Sequence, residues 1–217
     1  MFRYLVALGV PPRHIQRLTD ATATRGRIRA SLHWLYRNVK PGGTVYVYYS
    51  GHGSPGQHGH AYLVPADGDP SNLPETGVSI GSFYQSLNRL PARRVIIAMD
   101  ACFTGQGRRS VLGKGARPLV TKVREGAFPL SGKLIALTAA QADQESGVLE
   151  SQGHGLFTYY LLKGLDKGAV KNGHVTVGGL YRYLKPKVSD EAGIDNRSQT
   201  PELEPRQTTQ IASVRIR

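Results

Sequence analysis

Val95-Ile-Ile-Ala-Met-Asp-Ala-Cys-Phe-Thr-Gly105 runs without a break from five apolar residues into Asp100, reaches the only cysteine of the chain, and stops at a Thr-Gly pair. A continuous apolar run closed by turn residues fits a strand covered on both faces, the signature of a parallel sheet between layers of helix. Reactive groups in such sheets sit at the carboxyl ends of the strands. A lone cysteine is by itself more often a small core hydrophobe. A second stretch changes that balance: Thr44-Val-Tyr-Val-Tyr-Tyr-Ser-Gly-His-Gly53 is another β-prone run, and it finishes in a histidine held between two glycines. Two strands that each end in one half of a Cys/His nucleophile and base pair point to chemistry at their tips.

Working outward from these strands, the remaining elements alternate between helix and strand. Phe2 to Leu8 reads as a short helix, His14 to Leu18 as a short strand or extended link, and Thr24 to Val39 as an amphipathic helix built on Ile28, Leu32, Leu35 and Val39. Ala61 to Pro65 is a brief strand, and Ile80, Phe83, Tyr84, Leu87 and Leu90 mark a helix capped by Ser79. Lys133 to Thr138 is a third buried strand, with helices over Gly155 to Leu165 and Thr176 to Val188. Asp190 to Pro205 reads as a polar loop, and Gln210 to Ile216 alternates enough for a closing strand. The pattern is that of one α/β domain with a single sheet over residues 1–217.

Composition narrows the class. A hydrophobic content of 40% with 20% charged residues is that of a globular chain. One cysteine leaves no internal disulfide framework, so a reducing, cytoplasmic setting is expected. Met1 to Val10 carries Arg3 and runs into Pro11-Pro12 without a small-residue cleavage site, which reads as a helix and not a signal peptide. No apolar run approaches the roughly 20 residues of a membrane span, so no membrane partner is expected. The net charge of +13 raises nucleic acid as a partner. Its distribution argues otherwise: Arg108, Arg109, Lys114, Arg117, Lys122, Arg124 and Lys133 are opposed only by Glu125 in a glycine-rich stretch with no aromatic stacking platform. That is a basic loop, and no nucleic-acid binding is expected.

The chemistry follows from the two tips. A thiol is a sluggish nucleophile until a base sits beside it, and imidazole suits that task near neutrality. Cys102 would attack a carbonyl, with His52 taking the thiol proton. Backbone N–H groups of Gly53 and Cys102 would form an oxyanion hole, and glycines beside His52 permit close backbone approach.

Tyr48-Tyr-Ser-Gly-His-Gly53 and Asp100-Ala-Cys-Phe-Thr-Gly105 resemble the two catalytic signatures of the caspase-like cysteine peptidases, in the metacaspase and bacterial caspase-homologue branch. The similarity extends through Leu137-Thr-Ala-Ala-Gln-Ala-Asp-Gln144 and Gly153-His-Gly-Leu-Phe-Thr158. The resemblance implies a caspase-haemoglobinase fold, a mostly parallel sheet with helices on both faces, and a Cys/His dyad of Cys102 and His52. It divides the chain into a large-subunit-like segment over 1–107, a basic linker over 108–132 and a small-subunit-like segment over 133–217. The family's usual first strand is lacking, since the chain opens on the helix that should follow it. That strand would lie upstream, come from a neighbouring segment, or be dispensed with.

By the same resemblance Asp100 lines the primary specificity pocket, against the plainer reading of a structural carboxylate capping nearby amides. A carboxylate there selects a cationic side chain, so cleavage is expected after Arg or Lys. Asp143, Glu145 and Glu150 are further candidates for acidic contacts in the pocket. Arg108, Arg109, Lys114, Arg117, Lys122 and Arg124 become candidates for self-cleavage, against a solvated linker that is never cut. No cofactor is required; many metacaspases bind calcium through aspartates, although His58, His60, Asp67 and Asp69 match no metal motif. Peptides or proteins would be the substrates, in regulated proteolysis or programmed cell death. The alternative is a caspase-like module that no longer cleaves and serves as an interaction scaffold.

Overall fold

A computed structural model of the chain describes residues 1–56, 60–103, 132–141, 144, 146–149, 153–205 and 209–216. The sheet that organises them contains β1 (Thr44–Ser50), β5 (Arg94–Asp100), β6 (Leu134–Thr138) and β9 (Glu202–Glu204), in the order β1-β5-β6-β9. β1 and β6 both run parallel to β5, whereas β9 is antiparallel to β6. Among the described residues β1 therefore forms one edge. The apolar runs of the sequence supply the three parallel strands, and in β5 every residue from Val95 to Asp100 is buried.

Successive side chains of a strand point to opposite faces, so a strand apolar at every position needs cover on both sides. One face carries Val95, Ile97 and Met99 against Phe83 and Leu87 of α4 (Ile80–Asn88), with Ile28, Leu32 and Leu35 of α2 (Arg25–Asn38) packed alongside. The other carries Ile96, Ala98, Ile135 and Leu137 against Phe157 and Leu161 of α5 (Leu156–Lys163) and Leu180 and Leu184 of α6 (Val177–Ile194). Met1, Tyr4 and Leu8, at and just beyond α1 (Phe2–Ala7), join that second layer. Smaller elements complete the frame. β2 (Gly53–Pro55), β3 (Ala61–Leu63) and β4 (Val78–Ser79) form an antiparallel sheet, α3 (Leu73–Thr76) precedes β4, and β7 (Val148–Leu149) pairs with β8 (His154–Gly155).

Helix starts follow the capping residues. Thr24 accepts from the Arg27 amide, Ser79 from Ser82 and Thr176 from Gly179. Several expectations are corrected. Gln210 to Ile216 is not a strand; it is the short helix α7 (Thr209–Ala212), followed by an isolated bridge between Arg215 and Thr176. Ile211 and Val214 are three apart, which places them on one side of a helical turn and on opposite faces of a strand. The fourth strand of the sheet is Glu202–Glu204, inside the stretch read as a polar loop, where only Leu203 is buried. α6 continues past Val188 to Ile194 with Pro186 on its exposed side. Of the two readings of His14 to Leu18, a short strand or an extended link, the link holds: His14 closes a 3-10 turn over Pro12–His14 and Ile15 to Leu18 join no strand.

Phe157 has no exposed surface and sits at the centre of the α5 layer. Truncating it leaves a cavity that a close-packed sheet–helix interface fills poorly. Phe157→Ala is expected to lower unfolding stability by about 3–5 kcal/mol, read from the shift in a urea unfolding midpoint.

Candidate active site

The parallel pairing of β1 and β5 continues to its last residues, with Ser50 opposite Asp100. The Gly51 amide donates to the Asp100 carbonyl at 3.2 Å, carrying the pairing past the end of β1. His52 and Cys102 lie two positions beyond Ser50 and Asp100, so the register delivers both to the same end of the sheet. The loop that carries His52 is fixed through its backbone. The His52 carbonyl accepts from the Tyr49 hydroxyl at 2.7 Å and from the Val64 amide at 3.0 Å. His52 is exposed.

Gly53 shows how close the two tips are. A Cβ on Gly53 would lie 2.4 Å from the Cys102 carbonyl oxygen and 2.6 Å from the Phe103 ring. Only a residue without a side chain lets the two backbones meet at that distance.

Asp100 is fully buried, and its carboxylate is the hub of the site. One oxygen, Oδ1, accepts from the Ser146 hydroxyl at 2.7 Å. The other, Oδ2, accepts from the Thr158 hydroxyl at 2.6 Å and from the Thr158 amide at 3.3 Å. Because the Thr158 hydroxyl spends its proton on the carboxylate, the Tyr48 hydroxyl 2.8 Å away must donate to it. Thr158 lies in the first turn of α5, where amides have no helical partner and the dipole favours negative charge. The helix's own cap position, Gly155, offers no side chain, so the acid from β5 meets this helix end and the exposed His154 does not.

Cys102 is 2% exposed. The backbone amide of Ser146 donates to Sγ, and the thiol lies 3.7 Å from the Ser146 carbonyl. Ser146 thus touches both the sulfur and the buried carboxylate. Its segment is tied down from below by Gln199, also 1% exposed: the Gly147 amide donates to Oε1 at 2.7 Å, and Nε2 donates to the Ala139 carbonyl at 3.0 Å. Gln144 adds a tie through its Oε1, which accepts from the Thr200 amide at 2.6 Å.

Of the residues singled out in the sequence, His52, Gly53, Asp100 and Cys102 meet at this one end of the sheet. Asp143, Glu145, Glu150 and all six basic candidates from Arg108 to Arg124 lie outside the described residues. Asp67 and Asp69 are engaged as turn and helix-start acceptors. Asp67 accepts from the Arg25 amide at 2.7 Å, and Asp69 from both the amide and the hydroxyl of Ser71, which hold its carboxyl below the usual range. Among the described residues no group of three or more acids, histidines or cysteines is placed to hold a metal ion, and His58 lies outside those residues. Sequence reading missed Ser146, Thr158, Tyr48 and Gln199 as site residues. Thr158 closes one of the motif stretches quoted above, which is the one signal that pointed to it.

A mostly parallel sheet, layered on both faces by helices, with an imidazole and a thiol at the ends of adjacent strands, defines a caspase-like domain. The chain belongs to the caspase-domain family, which matches residues 1–212. Among solved structures it is similar to protein GSU0716 from Geobacter sulfurreducens, at 17% identity and a TM-score of 0.62, over 93% of this chain and 81% of that one; the likeness is one of fold. No curated protein matches the chain. No helix among the described residues is long and apolar enough to cross a membrane.

Two substitutions test this geometry. Gly53→Ala forces the His52 and Cys102 backbones apart and is expected to destabilise the fold by about 1–3 kcal/mol, the range for overpacking a tight contact. Thr158→Val keeps the shape but removes a hydroxyl from the buried carboxylate, and is expected to cost about 1–3 kcal/mol in the same unfolding measurement.

Proposed function

We propose that the protein is a cysteine endopeptidase that uses Cys102 as nucleophile and His52 as general base, and that it cleaves after Arg or Lys. The observation that carries this reading is the β1–β5 register, with Gly53 packed against the Cys102 carbonyl, which sets the two groups at one end of the sheet. His52 takes the thiol proton as Sγ attacks the scissile carbonyl carbon. The same proton then goes to the departing amine, and water releases the acyl group from sulfur. Developing charge on the carbonyl oxygen is met by the backbone N–H groups of Gly53 and Cys102. No cofactor enters these steps.

The preference for a basic side chain rests on Asp100, the acid two positions before the nucleophile. A cationic side chain that reaches this carboxylate forms a charge-assisted hydrogen bond in exchange for one from Ser146 or Thr158, which a neutral or acidic side chain does not match. Asp143, Glu145 and Glu150 are proposed as secondary acidic contacts. The same preference makes Arg108, Arg109, Lys114, Arg117, Lys122 and Arg124 proposed points of self-processing between the two segments of the chain. A second reading, a non-cleaving interaction domain, draws on the low exposure of the thiol.

Reporter peptides ending in Arg, Lys or Asp separate these readings. Release from the Arg and Lys peptides is expected, none from the Asp peptide, and none from any peptide with Cys102→Ala or His52→Ala. Intact-mass measurement is expected to show fragments ending within 108–124 for the parent chain and a full-length chain for Cys102→Ala. Turnover that survives Cys102→Ala would remove the thiol mechanism. No turnover by a folded parent protein would favour the interaction domain.

A further inference from the structure

α2 carries four arginines and a histidine and no acid, in a chain whose net charge is +13. A helix that serves only as a solvated cover mixes both signs on its outer face, because like charges one turn apart repel. Arg25, Arg29, His33 and Arg37 instead succeed one another at spacing i, i+4. Arg25 and Arg27 also stand in the first turn, against the helix dipole. Among the described residues the ion pair present joins Arg197 to Asp195, and none reaches α2.

The apolar side of the helix, Ile28, Leu32 and Leu35, is packed on the core together with Val39. Arg29, His33, Tyr36 and Lys40 follow at intervals of four, three and four with Arg37 beside them, and all five are exposed. They share one outer stripe about 15 Å long. Tyr36 is 59% exposed, more than any other aromatic residue among the described residues. The stripe continues past the helix. The Gly43 amide donates to the Lys40 carbonyl at 3.0 Å and the Arg93 amide to the Gly43 carbonyl at 2.9 Å, which brings the exposed Arg93 beside it. Thr44 pairs with Arg94 here, so this is the end of the sheet opposite His52 and Cys102.

Three kinds of polyanion would satisfy the charge. A bilayer would also take up an apolar helix face, and that face of α2 is already buried in the core. An acidic polypeptide would pair the cations and leave the ring without a partner. A single-stranded nucleic acid offers phosphates to the cations and a base to stack on Tyr36. The expectation against nucleic acid rests on the stretch from Arg108 to Lys133, whereas α2 has an exposed ring between its cations.

We propose that the outer face of α2, continued by Lys40 and Arg93, binds single-stranded nucleic acid, with phosphates on Arg29, Arg37, Lys40 and Arg93 and a base stacked on Tyr36. The proposal does not depend on the peptidase reading, because the surface lies at the far end of the sheet and no bond is made or broken there.

Fluorescence anisotropy of a labelled oligothymidylate about 12 nucleotides long measures this binding with the full chain. Four phosphate contacts to a single strand predict a slope of about −3 for log affinity against log salt. Arg29→Ala combined with Arg37→Ala is expected to reduce that slope to about half. Lys167→Ala combined with Lys171→Ala removes the same charge from an exposed stretch elsewhere and is expected to leave the slope unchanged. Tyr36→Ala is expected to bind about tenfold more weakly, and Tyr36→Phe, which keeps a ring, as the parent protein does. The proposal is overturned if the oligonucleotide is not bound at about 50 mM salt. It is also overturned if the lysine pair alters the slope as much as the arginine pair, or if Tyr36→Phe loses as much affinity as Tyr36→Ala. Equal binding by Tyr36→Ala and the parent protein overturns it too, leaving a surface that takes any polyanion.

Discussion

A carboxylate with no exposed surface ends the central strand of this protein, and the surrounding structure is arranged to make that tolerable. An ionised acid taken out of water is costly unless it is paired or hydrogen-bonded several times over. Asp100 receives hydroxyl donors from Ser146 and Thr158 and a main-chain amide from the first turn of α5. Those donors come from different parts of the chain. The acid therefore pins β5, the start of α5 and the segment after β6 to one point, and through Tyr48 it reaches β1 as well. Cys102, two residues along, inherits its position from this network.

The sheet supplies the other half of the constraint. In parallel pairing the register is shared along the whole strand, so a match at Val45 and Val95 is carried unchanged to Ser50 and Asp100. A slip by one residue would turn every apolar side chain of β5 to the wrong layer, and each layer has its own helices and its own core. The packing of Ile97 against α4 and of Ile96 against α5 thus sets where His52 stands relative to Cys102, several residues away. Gly53 then permits the last step of approach, since the Cys102 carbonyl occupies the space that a side chain would need.

What the sequence made legible follows from this physics. β1, β5 and β6 were readable because strands covered on both sides must be apolar throughout, and Val95 to Met99 or Leu134 to Leu137 fit little else. His52 and Cys102 were readable because each stands just past such a run. β9 was not: with Glu on either side of Leu203, it is three residues recruited by pairing with Ala136 to Thr138, a tertiary effect with no local signature. The end of the chain was misread for a different reason: Val214 and Ile216 alternate as in a strand, whereas Ile211 and Val214 are spaced as in a turn of helix. Ser146, Thr158 and Gln199 were hidden for a further reason. A serine, a threonine or a glutamine is ordinary at the surface, and only the fold reveals that these three are buried and satisfied.

The contacts of Asp100 also bear on how the thiol of Cys102 is covered. His52 is exposed while the sulfur of Cys102 is covered, so the two groups of the proposed dyad differ in access although they share one end of the sheet. Covering by packed hydrocarbon would fix the sulfur permanently, because uncovering apolar surface carries a cost that no substrate contact at this site offsets. Among the described residues the contacts on this site include polar ones: a main-chain amide on sulfur and a hydroxyl on a carboxylate. Polar contacts can be exchanged for equivalent ones from an incoming peptide, which brings its own amides and, in the proposed substrates, a cation for the acid.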